Sequence, residues 1–82
     1  MADIHLYILS PQEVLADLQV GTVFLPGTVS PFQVLPGHAA MVTSLDKGAV
    51  RYTSAAGEEG SVEISSGFAK IMDDEVVVCV EK

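Results

Sequence analysis

His38 is the residue best suited by type to act as a general base or metal ligand, and His5 is the only other imidazole in the chain. Two histidines without a cysteine cluster make a poor ligand set. A histidine beside a turn, as His38 is after Pro36-Gly37, is more often exposed or in a contact than at a reaction centre. Asp73-Asp74-Glu75 offers carboxylates to a hard cation but lacks the spacing and central glycine of a calcium loop, so it reads as a solvated hairpin turn. Ser44 lies outside any Gly-x-Ser-x-Gly elbow, and no Gly-x-x-x-x-Gly-Lys-Ser/Thr loop exists to cradle phosphate. Cys79, the single cysteine, has no basic neighbour to activate a thiolate and packs as a small hydrophobe among valines. Lys70 reads as a charge on a wet strand face. These residues predict a protein that is not an enzyme, with no catalytic, metal-binding or cofactor-binding set.

The unusual residues collect instead between Leu25 and Ala40, where three of the four prolines lie. Pro26-Gly27 and Pro36-Gly37 each suit the two central positions of a type II turn. Between them Pro31 to Leu35 is short and extended, and its proline confines it to a sheet edge or a crossing between sheets. A rigid, apolar, irregular loop of this kind is suited to contact with a partner.

The remaining sequence supplies strands to hold that loop. Ile4-His5-Leu6-Tyr7-Ile8-Leu9 alternates with the period of a strand. Ser10-Pro11-Gln12-Glu13 has the form of a helix start, with a serine cap, proline in the first turn and glutamate three residues on; Val14 to Leu18 suits two helical turns or a short strand. Further strands are expected at Val20–Leu25, Met41–Leu45, Ala49–Thr53, Ser61–Ser65, Gly67–Met72 and Glu75–Glu81, with a bulge or a close backbone neighbour at Gly21 and turns at Asp46-Lys47-Gly48, Ser54–Gly60 and Asp73-Asp74. The last strand is apolar on both faces and is expected to be covered twice. Turn signals every eight to ten residues predict an all-β chain: one antiparallel β-sandwich or flattened barrel of about ten short strands spanning residues 1–82.

Composition narrows the partners. Eighty-two residues bury only about 60–65% of the unfolded surface, so the stability margin is thin. Hydrophobic residues are 49% of the chain and aromatics 6%, which gives an aliphatic core with apolar residues left over for an interface. Four basic against eleven acidic residues, a net charge of −7, argue against nucleic acid or anionic headgroups as the main ligand. The longest apolar run, Val76 to Val80, is far short of the roughly 20 residues of a spanning helix, and the N-terminus lacks a signal peptide's basic start. A cytosolic protein, peripheral to any membrane, is expected.

Leu25-Pro26-Gly27 followed by Leu35-Pro36-Gly37-His38-Ala39 resembles the epsilon subunit family of F-type ATP synthases. Leu6-Tyr7-Ile8-Leu9-Ser10-Pro11, Thr43-Ser44-Leu45 before Gly48-Ala49-Val50-Arg51, and Ser65-Ser66-Gly67-Phe68 agree in order, so the resemblance covers essentially the whole chain. It implies a ten-stranded sandwich in the rotor that couples ion flow to ATP synthesis. The sandwich would pack on the gamma subunit through His38, Ala39, Met41 and Val42 and rest on the c-subunit ring through Val29, Ser30, Pro31 and Phe32, with Phe32 either at that contact or in the core. It would lie on the cytoplasmic side of the inner (plasma) membrane, held there through the complex. The resemblance also implies that Pro11 to Asp17 is extended, overruling the local helical reading. Family members usually carry a C-terminal helical hairpin; the sequence stops at Lys82, where the sandwich ends, which fits either a naturally short member without the hairpin or a piece of a longer chain.

Departures fall in the central loop. The family usually reads Gly-x-x-Gly-Glu-Phe/Leu-Gly between the two turns, with an acidic residue toward the ring, where this chain has Val29, Ser30, Pro31, Phe32 and Gln33. Ala40 replaces a usual proline and Ser66 a usual second glycine. The competing reading is a free-standing β-sandwich that binds a small ligand in an open end; a hydrolase using His38 ranks third. Because no phosphate-cradling loop is present, titration calorimetry with ATP is expected to give no micromolar binding, and such binding would require a site built from strand and turn residues.

Overall fold

In β1 (Ile4–Leu9) the alternation works as the sequence predicts: Ile4, Leu6 and Ile8 are buried, while His5, Tyr7 and Leu9 look outward. The computed structural model describes residues 3–81, and β1 lies near the middle of its one sheet. β2 (Val14–Leu25) follows, then β3 (Phe32–Val34), β4 (Met41–Leu45), β5 (Gly48–Ser54), β6 (Glu59–Ile64), β7 (Ser66–Met72) and β8 (Glu75–Glu81). Their order is β4-β7-β8-β1-β2-β5-β6, with β3 also on β2. The all-β class holds. Among the described residues the strands number eight, since Val14 to Leu25 is one continuous element, and the β1–β8 pair is parallel in an otherwise antiparallel sheet.

β2 curls the sheet into two layers. Its first half pairs with β1, from Leu9 opposite Val14 to Ile4 opposite Val20; its second half lies between β5 and β3, with Val23 opposite both Tyr52 and Val34. The register shifts between Val20 and Thr22, the bulge expected at Gly21, which bends the strand from one layer to the other. The extended course that the resemblance implies, rather than the local helical reading, holds from Val14 onward, and Ser10 to Glu13 forms a turn before it. The Ser10 amide donates to the Glu13 carbonyl at 2.9 Å and the Glu13 amide to Ser10 Oγ at 3.2 Å, so the serine closes a turn. An isolated two-turn helix is marginal in water, whereas the extended Val14 to Val20 pairs with β1.

Turn chemistry explains most reversals. Asp73 and Asp74 both have positive φ, 51° and 59°, the left-handed pair of a two-residue type I′ hairpin between β7 and β8. Pro36-Gly37 is the type II turn expected, with Gly37 at φ 84° and the His38 amide bonded to the Leu35 carbonyl at 3.1 Å. Pro26-Gly27 is not. Gly27 lies outside the left-handed region and its amide bonds to the Leu25 carbonyl at 3.0 Å in a three-residue turn. Glycine is needed there for closeness, since a Cβ would sit 2.6 Å from the Ser30 carbonyl oxygen and 3.1 Å from the Phe32 ring.

Immediately after that turn the sheet closes on itself. Gly27 bridges Leu45, the Thr28 amide donates to the Ser44 carbonyl at 3.0 Å, and the Asp46 amide donates to the Pro26 carbonyl at 2.8 Å. β4, otherwise an edge, is covered at its C-terminal end by the continuation of β2. The enclosed core is aliphatic, with Leu6, Ile8, Val20, Val23, Leu25, Ile71, Val76 and Val78 among its members and no buried polar side chain among the described residues. One expectation for β8 fails: Val76, Val78 and Val80 are buried, but Val77 and Cys79 are only half-buried, so its second face stays open.

Deleting Leu6 atoms opens a cavity, so Leu6→Ala is expected to cost about 2–5 kcal/mol and lower Tm by about 8 °C or more. Val29→Ala, at a side chain 98% exposed, is expected to stay within about 0.5 kcal/mol. Thermal unfolding of both variants checks the contrast.

Candidate functional site

The segment from Pro26 to Val42 is tied down at both ends. At the first, Ser44 Oγ donates to Thr28 Oγ1 at 2.9 Å and Thr28 Oγ1 to Asp46 Oδ1 at 3.2 Å, adding side-chain bonds to the closure. Val29, Ser30 and Pro31 form the exposed apex. Phe32, expected beside them as a contact, is half-buried: it packs on the core and beneath Gly27, with its ring centroid 6.3 Å from that of His38. It props up the apex from inside.

At the second end the Gly37 amide donates to Asp74 Oδ1 at 2.7 Å, and the Asp74 carbonyl accepts from the His5 amide at 3.0 Å. The β7–β8 turn thus carries the Pro36-Gly37 turn. Beyond it His38 is half-buried and its Nδ1 faces the Ala39 carbonyl at 2.7 Å, which requires the proton on Nδ1. Met41 packs against the core, whereas Ala39 and Val42 are exposed, Val42 by 69%.

The two histidines do not form a site. His5 is engaged on the outer face of β1, where Asp17 Oδ1 meets its Nε2, the Gln19 amide group lies 2.9 Å from its Nδ1, and Tyr7 stacks at 4.3 Å. Among the described residues no three His, Cys, Asp or Glu side chains are grouped to hold a metal ion.

Val42 lies on an outer face that sequence reasoning missed. The ladder sets Val42 beside Lys70, Lys70 beside Val77 and Val77 beside Tyr7; the next row runs Ser44, Phe68, Cys79, Leu9. Phe68 is 51% exposed, and Leu9, Pro11, Phe68, Cys79 and Val80 line a shallow groove of about 420 Å³. The signal was present as the doubly apolar β8, together with Phe68 and Met72 at outward positions of β7.

Among the described residues this geometry supplies a surface for contact. The family model described as ATP synthase, Delta/Epsilon chain, beta-sandwich domain matches residues 3–82. The chain belongs to this family. Delta/epsilon relatives named ATP synthase epsilon chain include those of Sulfurovum sp., 41% identical over 75 residues, and Campylobacter fetus, 37% identical over 81 residues. The matches cover 92% and 99% of this chain but 58% and 63% of those relatives, so the chain spans about three fifths of their length. In fold, a chain of the Euglena gracilis mitochondrial ATP synthase structure (OSCP/F1/c-ring) superposes with a TM-score of 0.91 at 24% identity, covering 100% of this chain and 52% of that one. A chain of the Tetrahymena thermophila mitochondrial ATP synthase central stalk/c-ring structure gives 0.78 at 12% identity, covering 96% and 63%. Both likenesses, below 25% identity, show the fold alone.

The Asp74 anchor separates two effects that a single variant would mix. Asp74→Gly keeps the positive φ but removes the acceptor, so the Gly37 amide should exchange with solvent faster by about tenfold or more. Asp74→Asn retains an acceptor oxygen and should leave exchange close to that of the parent. Amide hydrogen exchange of Gly37 checks both.

Proposed function

We propose that this chain is a non-catalytic subunit of the central stalk, or rotor, of an ion-translocating F-type ATP synthase, coupling ion flow to ATP synthesis by rigid packing. Residues 1–82 act as a single β-sandwich domain. His38, Ala39, Met41 and Val42 face the gamma subunit; Val29, Ser30, Pro31 and Phe32 face the c-subunit ring, with Phe32 supporting the apex from below. The domain sits on the cytoplasmic side of the membrane and is peripheral, held there by its partners. The observation that carries this reading is the family match along residues 3–82. The anchored, uncharged loop supports it, as does the exposed apolar face around Val42 and Phe68, whose burial would stabilise a complex.

Val42→Asp places a charge at a side chain already exposed, so folding should be kept while gamma binding falls. Loss of one buried aliphatic side chain is about 1.5–3 kcal/mol, or roughly 10- to 150-fold in Kd. At the apex, Val29, Ser30 and Pro31 carry no charge, so ring contact is expected to depend weakly on salt. Assembly of wild type and Pro31→Glu with a purified rotor at low and high salt checks this. Tighter binding of Pro31→Glu that high salt abolishes would contradict an apolar contact.

A further inference from the structure

The two ends of the sheet are finished differently. β4 is covered by Pro26–Thr28, but β6 bonds only to β5, so among the described residues its other edge presents backbone amides and carbonyls with no strand beside them. Such a row is a template for another extended chain. Along it Glu59, Ser61 and Glu63 point outward and are exposed, while Val62 is half-buried against the core and Ile64 is buried.

We propose that the β6 edge is a strand-addition site for an extended segment of a partner polypeptide that carries lysine or arginine at two positions four residues apart. Main-chain bonds to β6 supply the affinity and the outward side chains the selectivity. An added strand places its own outward side chains beside Glu59, Ser61 and Glu63, so cations at the first and third of these positions face a carboxylate each. Glu58 in the adjoining loop and the chain's net charge of −7 favour the same sign of partner. A second copy of this chain fits poorly, because antiparallel pairing about Ser61 sets Glu59 of each copy against Glu63 of the other. Beside the edge, a trough of about 470 Å³ lined by Phe24, Arg51, Thr53, Glu59 and Ser61 leaves room on that face for long side chains. This proposal uses none of the residues assigned to gamma or to the c ring, so it stands or falls independently of the rotor reading.

The test is hydrogen exchange with a capped peptide, Thr-Lys-Val-Thr-Val-Lys-Thr, whose lysines match Glu59 and Glu63. Added to the intact 82-residue chain, it should slow exchange of β6 amides by about tenfold or more and leave those of β4 unchanged. The double variant Glu59→Lys with Glu63→Lys should weaken binding by about tenfold or more, as should methylation of alternate peptide nitrogens at unchanged charge. Equal binding of the methylated peptide would reduce the effect to charge attraction and overturn strand addition. Protection on β4, or no protection of β6 at millimolar peptide, would overturn it as well.

Discussion

Every surface that this chain offers near its central loop depends on the backbone bonds that close the sheet, from Pro26–Thr28 to Ser44–Asp46. Without them β2 would end at Leu25 and the next residues would form a free excursion. With them, the apex from Val29 to Pro31 starts from a fixed point, and Phe32 returns to pair with Leu25 and fill the space under Gly27. Asp74 repeats the device at the far end, where one carboxylate oxygen holds the Gly37 amide. The loop between these anchors needs few contacts of its own, which suits a surface whose ordering cost must be met before binding.

Much of the frame was legible in the sequence because local chemistry and tertiary context agree there. Alternation in β1 and β6, the bulge at Gly21 and the type II turn at Pro36-Gly37 follow from side-chain period and from glycine's access to positive φ. The misreadings arise where packing overrides the local pattern. Ser10 to Leu18 carries good helix-start signals, and only the ladder with β1 makes it a strand. Gly27 looks like a turn glycine, whereas its role is to admit the Phe32 ring. The double apolarity of β8 pointed to two covered faces, and the second is instead a half-open surface shared with Phe68 and Leu9.

The site's residues divide along the same line. Val29, Ser30, Pro31 and Val42 stand exposed where the sequence led one to expect contacts, but the inward turn of Phe32 and Met41 depends on packing that no local pattern announces. The absence of charge at the apex is the point at which this chain departs most from its family's usual loop. More than half of the acidic residues lie on the β6 edge, the β5–β6 loop and around the β7–β8 turn, away from the apex. A net charge of −7 therefore does not conflict with an apolar contact at the loop.

The claim at the centre of this account is that the loop is held ready before any partner arrives. Backbone nitrogen relaxation on the isolated chain measures it directly. Order parameters near those of the strands, about 0.85, are expected at Phe32–Val34 and from His38 to Val42. Values below about 0.6 across those residues, with the strands still rigid, would mean that the anchors do not hold the loop and would contradict the account.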